Sequence, residues 1–167
     1  EPLTKWLQRL AYQLMVERSD RNDSAHAVML AYARKGDLDQ LAAFVDTQLK
    51  GYETYVTFYG GEPTLNRPYM EEVIARFPNF RYQLQTNGTL LDSLPDAVLS
   101  RMSNFLISID GGEGTTDGYR GRGIYRQVMK NLAAIRPKTS GTITARMTWS
   151  SADTTFEDID NLLLHFD

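Results

Sequence analysis

Cysteine is absent from all 167 residues. That excludes disulfides, thiolate nucleophiles and thiolate-held metals together. Histidine is nearly as scarce, with His26 and His165 the two in the chain, so an imidazole-rich metal site is not expected. His26 lies among small residues and His165 near the end of a predicted helix, where solvated or helix-end roles fit. No apolar run approaches the length of a membrane span, and the opening EPLTKWLQRL does not read as a signal peptide. Nor is there an excess of positive charge. Eighteen Lys and Arg stand against 21 Asp and Glu, a net charge of −3 with no evident basic face, so nucleic acid is a poor partner. These absences lead to the expectation of a soluble, cytoplasmic protein with no membrane and no nucleic-acid role.

What is present suits a globular chain: 42% hydrophobic and 23% charged residues, with a length that supports one ordinary domain. A lead-in with Leu3, Trp6, Leu7 and Leu10 on one helical face covers residues 1–12, and QLMVER (13–18) reads as a strand. An irregular polar segment follows. Asp37 with Gln40 three residues on predicts a helix start, Leu38, Leu41, Ala42, Val45 and Leu49 form its apolar stripe, and Gly51 ends it. Strand-like runs then recur at 54–59, 80–86, 104–110 and 141–149. Helical patterns start near Asn66 and Pro68, near Ser93 and Pro95, over 124–135 and over 154–166, with a glycine-rich loop before 124. Five strand-then-helix repeats imply parallel strands joined by crossovers.

Parallel strands covered on both faces are apolar on both, and these are not. Arg81, Gln83, Gln85 and Asn87 share one side of their strand, Ser108 and Asp110 share a side with Leu106, and Thr142, Thr144, Arg146 and Thr148 share another. Polar side chains are costly to bury without partners. The pattern therefore predicts a partial, TIM-like (βα) barrel whose concave polar face holds a polar ligand. A flat sheet with that face in water is the alternative.

The segment FYGGEPTLN (58–66) lies at the C-terminal end of the second of these α/β strands, where such folds bind ligands. Gly60 and Gly61 allow close approach to the backbone, Pro63 stiffens the turn, and Glu62 becomes a carboxylate suited to an ammonium group. Arg146, inward on the last strand, matches a carboxylate. Together they would clamp an α-amino acid zwitterion. A tight loop after a strand is the plain alternative for GGEP alone.

VTFYGGEPTL, QTNGTLL, ISIDGG, YRGRGIYRQVMKNL and TARMTWS follow one another at βα spacing across residues 56–150. This series resembles the radical S-adenosylmethionine (radical SAM) superfamily, in particular the branch of anaerobic sulfatase maturases and SPASM-type peptide-modifying enzymes. The resemblance implies an α/β fold, a partial TIM-like barrel with five of the six family βα units present. On that reading residues 1–12 form a lead-in helix and 13–167 a truncated barrel core. It implies cofactor contacts from Gly60, Gly61, Glu62 and Pro63 at the methionyl amino group and from Asn87 nearby. Ser108 and Asp110 would lie at the ribose and methionine region, and Arg146 at the methionyl carboxylate. The Asp117 to Arg126 region resembles a substrate-side loop; a charged, solvated loop before an ordinary helix is an equal alternative.

The resemblance breaks at the metal. Family members carry C-x3-C-x2-C and then an aromatic after the first strand; here Ser24, Val28, Ala31 and Tyr32 occupy that spacing. A hydroxyl and two alkyl groups cannot hold iron as thiolates do. The family cofactors are S-adenosylmethionine and a 4Fe-4S cluster, and no cluster is expected in this chain. Intact members cleave the cofactor reductively and abstract hydrogen from a peptide or protein substrate, so this chain is expected to be inactive. The alternative is a non-enzymatic, cluster-free barrel serving as a scaffold or partner-binding module. The loop GGEGTTDG lacks the lysine and helix context of a phosphate-binding P-loop. A missing sixth unit would leave the fifth strand as an open edge, giving a dimer or a swap. Without metal, the loop 19–36 is expected to be disordered.

Overall fold

A computed structural model describes residues 15–18, 24–30, 37–48, 50–51, 53–150 and 153–166. The lead-in 1–12 lies outside the described residues. The chain divides into two compact units, Glu1–Leu84 and Gln85–Asp167.

In the first unit, β1 (Met15–Arg18) pairs antiparallel with β2 (Ser24–Leu30), Met15 opposite Val28 and Arg18 opposite Ala25. β2 then pairs in parallel with β3 (Glu53–Tyr59), and β3 with β4 (Arg81–Thr86), whose last residues enter the second unit. Between them lie helices α1 (Asp37–Gln48) and α2 (Arg67–Arg76). Leu38 and Leu41 of α1 are buried, as the helical stripe requires. β3 alternates cleanly: Thr54, Val56 and Phe58 are buried, while Tyr55 and Thr57 are half-buried. Phe58 stacks on Tyr82 of β4 at 5.7 Å between ring centroids. The Tyr82 hydroxyl donates to the carbonyls of Phe77 (2.7 Å) and Val73 (3.2 Å). The buried phenol thereby adds a second donor to two carbonyls at the end of α2 that already accept the N–H groups of Phe77 and Phe80.

The second unit holds α3 (Asp96–Leu99), β5 (Met102–Ser108), α4 (Glu113–Arg120), α5 (Ile124–Ile135), β6 (Thr142–Arg146) and α6 (Phe156–Phe166). β5 and β6 are parallel, with Asn104 opposite Thr142 and Ser108 opposite Arg146. Phe105, Ile107 and Ile109 are buried, as are Val128, Leu132 and Ile135 on one stripe of α5. Asn131 sits among that stripe with no exposed surface. Its amide donates to the carbonyls of Gly88 and Thr89, each at 2.9 Å, and accepts from Gln127 at 3.0 Å. The turn after β4 is thus tied to α5 by one side chain. Gly88 has φ +79°, and a Cβ there would stand 3.1 Å from a methyl of Val128. The turn needs glycine on both counts.

The chain is α/β, but the expected partial TIM-like barrel of five βα units is not what the structure shows. Parallel ladders run through β2, β3 and β4 and through β5 and β6, whereas QLMVER, expected to open a parallel series, contributes an antiparallel strand. Its partner is SAHAVML, part of the segment expected to be an irregular loop. Residues 19–23 and 31–36 on either side lie outside the described residues. Alternation along a strand tells which face is wetted and nothing about closure, which depends on tilt and stagger between strands. The polar side of β4 shows this: Gln83 and Gln85 are half-buried and Arg81 is exposed, so water satisfies much of what an enclosed hollow would have had to. The glycine-rich loop before residue 124 also proves to contain α4. Its two glycines, Gly114 and Gly118, mask a helix in any propensity reading.

Candidate functional site

The expected cofactor contacts, Gly60 to Arg146, lie among the described residues. Gly60 and Gly61 follow β3 with φ of +101° and +56°, left-handed backbone that glycine adopts without a Cβ penalty. Glu62 is buried and caps a short 3-10 turn, Pro63–Asn66, with Pro63 in its first position. Its Oε1 accepts from the Thr64 hydroxyl at 2.6 Å and from the Thr64 N–H at 3.2 Å. The carboxylate expected to face a ligand is thus engaged with its own turn. Asn87 behaves alike, its Oδ1 accepting from the N–H and hydroxyl of Thr89 at 2.9 and 2.7 Å. Both are local side-chain turns, that of Asn87 an Asx turn. Ser24 and Val28 fall within β2, and the structure describes nothing of their side chains; Ala31 lies outside the described residues.

In the second unit, Ser108, Asp110 and Arg146 do gather at the C-terminal ends of β5 and β6. Ser108 is in register with Arg146, and the Ile109 N–H donates to the Arg146 carbonyl at 3.0 Å. The Arg146 guanidinium is exposed and donates to Gln85 Oε1. Asp110 is the buried member, with 3% of its surface accessible. Its Oδ2 accepts from Arg120 Nε at 2.5 Å and its Oδ1 from the Thr148 N–H at 3.0 Å. The Asp110 N–H in turn donates to the Thr116 hydroxyl at 3.2 Å, and that hydroxyl donates to the Gly111 carbonyl at 3.0 Å. The two oxygens of this deep carboxyl group are thus met by an arginine and a backbone donor.

Asp110, Tyr119, Arg120, Thr148 and Ser150 line a cavity of about 290 Å³. Its floor is the Asp110–Arg120 ion pair, and its walls carry three hydroxyl side chains. The Tyr119 hydroxyl donates to Asp153 Oδ2 at 2.8 Å, and this bond to a carboxylate pushes the phenol's pKa up. Tyr119 therefore stays a neutral hydroxyl at ordinary pH. The size falls at the small end of small-molecule sites.

Within the expected substrate-side loop, Asp117 to Arg126, Tyr119 and Arg120 line this cavity, while Asp117 has a structural task. The Asp117 carboxylate in α4 accepts from the N–H groups of Gly123 (2.6 Å) and Tyr125 (2.9 Å) and so caps α5 from outside. Those bonds, Tyr125 first, hold its carboxyl below the usual carboxylate range. The sequence pattern carries its strand through Asp110, two residues past the end of β5 at Ser108, and singles out none of Tyr119, Arg120 and Ser150 individually. Arg120 was hidden because α4 was taken for a loop; the ten-residue step from Asp110 to Arg120 closes only once a helix folds the chain back.

Among the described residues no group of three or more His, Cys, Asp or Glu side chains could hold a metal ion. None of their helices is long and apolar enough to cross a membrane. A family model described as the Baseplate J-like N-terminal domain matches residues 1–50, and no curated protein matches the chain. The matching family is not a radical SAM family, so the membership expected from the five motifs is corrected. The radical reaction and iron–sulfur chemistry drawn from it go with that membership, as does the cluster-free barrel offered in its place. The motifs that suggested them are, in physical terms, glycine turns and polar strand ends, which many α/β folds share.

Proposed function

We propose that the second unit binds a small, net-neutral, hydroxylated molecule in the cavity at the ends of β5 and β6, with Asp110 as the anchor. The observation that carries this reading is the buried Asp110 carboxylate, paired with Arg120 in the lining of the cavity. An acceptor and a cationic donor side by side match two neighbouring hydroxyls, each of which can donate to one and accept from the other. Because the floor is charge-compensated, an anion would meet Asp110 and a cation would meet Arg120, whereas a neutral ligand meets neither penalty. Tyr119 adds an aromatic wall with a polar tip. Ser108 and Arg146 flank the same strand ends.

Calorimetry with the neutral diols ribose and adenosine tests this on the intact chain. The expectation is binding by at least one diol-bearing probe, weakened about tenfold or more by Asp110→Asn, which loses the charge-assisted half of the contact. Equal binding by parent and D110N, or none by any diol, refutes the reading.

The match over residues 1–50 favours a second reading, a part in a protein assembly such as the family's name indicates. No β6 side chain is buried, and Trp149 and Phe156 lie exposed with ring centroids 5.9 Å apart. Pairing through β6, as a dimer or a swap, would cover such a surface. Light scattering after size exclusion tests it: a monomer across a wide concentration range counts against self-pairing.

A further inference from the structure

Asp158, in the first turn of α6, is buried and makes two kinds of contact with its two oxygens. Oδ2 accepts from the Thr155 N–H at 2.9 Å and the Thr155 hydroxyl at 3.0 Å. This is a capping box in which the acid three residues into the turn reaches back to the residue that opens it. Oδ1 accepts from the Gly112 N–H at 2.9 Å, across 46 residues of chain. Gly112 stands two residues beyond Asp110, and Gly111 between them has φ +126°. A Cβ on Gly111 would lie 2.3 Å from Asp158 Oδ1. The carboxylate therefore presses against the bare face of the turn that carries Asp110. Burial opposes its ionisation, but the hydrogen bonds outweigh that and hold its carboxyl below the usual range.

We propose that Asp158 is a positioning residue for the cavity: its second oxygen latches the Gly111–Gly112 turn and so fixes Asp110 in the geometry that meets Arg120 and Thr148. The capping box alone asks for one oxygen; the second serves the turn. This rests on the ligand-site reading for its use, but the latch itself is measurable without a ligand, through the Thr148 N–H that donates to Asp110.

Asp158→Asn separates the two roles. Asparagine is an adequate helix-start side chain, and its single carbonyl oxygen can serve Thr155, where two donors await it. Its NH₂ then faces the Gly112 N–H, donor against donor. The measurement is amide hydrogen exchange on the intact chain. In D158N the amides of Gly112 and Thr148 are expected to exchange about tenfold faster or more, with the interior amides of α6 unchanged. Thr155→Ala, which removes the capping hydroxyl, is expected to leave Gly112 and Thr148 at the parental rate. Unchanged exchange at Gly112 in D158N overturns the latch, and unchanged exchange at Thr148 overturns its effect on Asp110. Equal loosening by T155A overturns it as well, since the effect would then come through helix stability. Failure of every diol to bind the parent sinks the ligand reading and leaves these exchange outcomes to decide the latch.

Discussion

Replacing Asn131 with alanine should cost the second unit about 2 kcal/mol. Asn131 has no accessible surface and makes three hydrogen bonds, two of them to the carbonyls of Gly88 and Thr89. Truncation strands the Gly88 carbonyl, which is buried, at a cost of about 1–3 kcal/mol. Thr89 and Gln127 are half-buried and recover water at little cost. The small hole left by the amide adds to the loss, while the better helix propensity of alanine returns roughly 0.5 kcal/mol. Urea unfolding followed at Trp149, in a Trp6→Phe background so that the second unit reports alone, reads this directly. With a slope of about 1.3 kcal/mol per molar urea, the midpoint should fall by about 1.5 M at unchanged slope. Asn131→Asp should be worse, because it points a carboxylate at two carbonyl oxygens. A midpoint shift below about 0.4 M for the alanine variant would mean that the turn after β4 does not depend on this amide.

Tyr82→Phe keeps the ring stacked on Phe58 but removes the donor to Val73 and Phe77, and should cost about 1–2 kcal/mol in chemical denaturation. Gly118→Ala should stabilise by about 0.5–1 kcal/mol, since a Cβ there meets nothing within 4 Å and the helix gains propensity; calorimetric melting reads the sign. For Asp117, the folded pKa is below the unfolded one because Tyr125 and Gly123 donate to the carboxylate. The unfolded state then binds the proton first. The stability this group adds is present above about pH 4 and is lost as pH falls through the folded value. Protection of the Tyr125 amide against exchange, relative to the free-peptide rate at each pH, should fall on acidification below that point in the parent, and Asp117→Asn should flatten the dependence.

Much of the secondary structure was legible from periodicity. The helix over 124–135 was found to the residue, and the strands at 54–59 and 80–86 to within one, because each couples a strong repeat to clear glycine or proline boundaries. The strand at 24–30 was not, since SAHAVML mixes small and polar residues without a period, and only pairing with β1 on one side and β3 on the other makes it a strand. α4 was missed for the opposite reason: its glycines argue locally against the helix that the Asp110–Arg120 pair and the Thr116 hydroxyl bonds hold together.

The same division holds for the candidate site. By itself the sequence determined that thiolate chemistry is closed to this chain, that the fold is α/β, and that Asp110 would stand near a strand end. Those follow from composition and from local periods, which need no knowledge of neighbours. Tertiary structure alone decided which side chain meets a distant partner and which faces a cavity. Glu62 and Asn87 are taken up locally by Thr64 and Thr89 and Asp117 by the start of α5, whereas Asp158 reaches Gly112 across 46 residues. Asp110 kept an arginine and a cavity beside it. A polar side chain's partner is whichever donor the folded backbone brings within about 3 Å, and that choice among near neighbours is invisible until the chain has closed on itself.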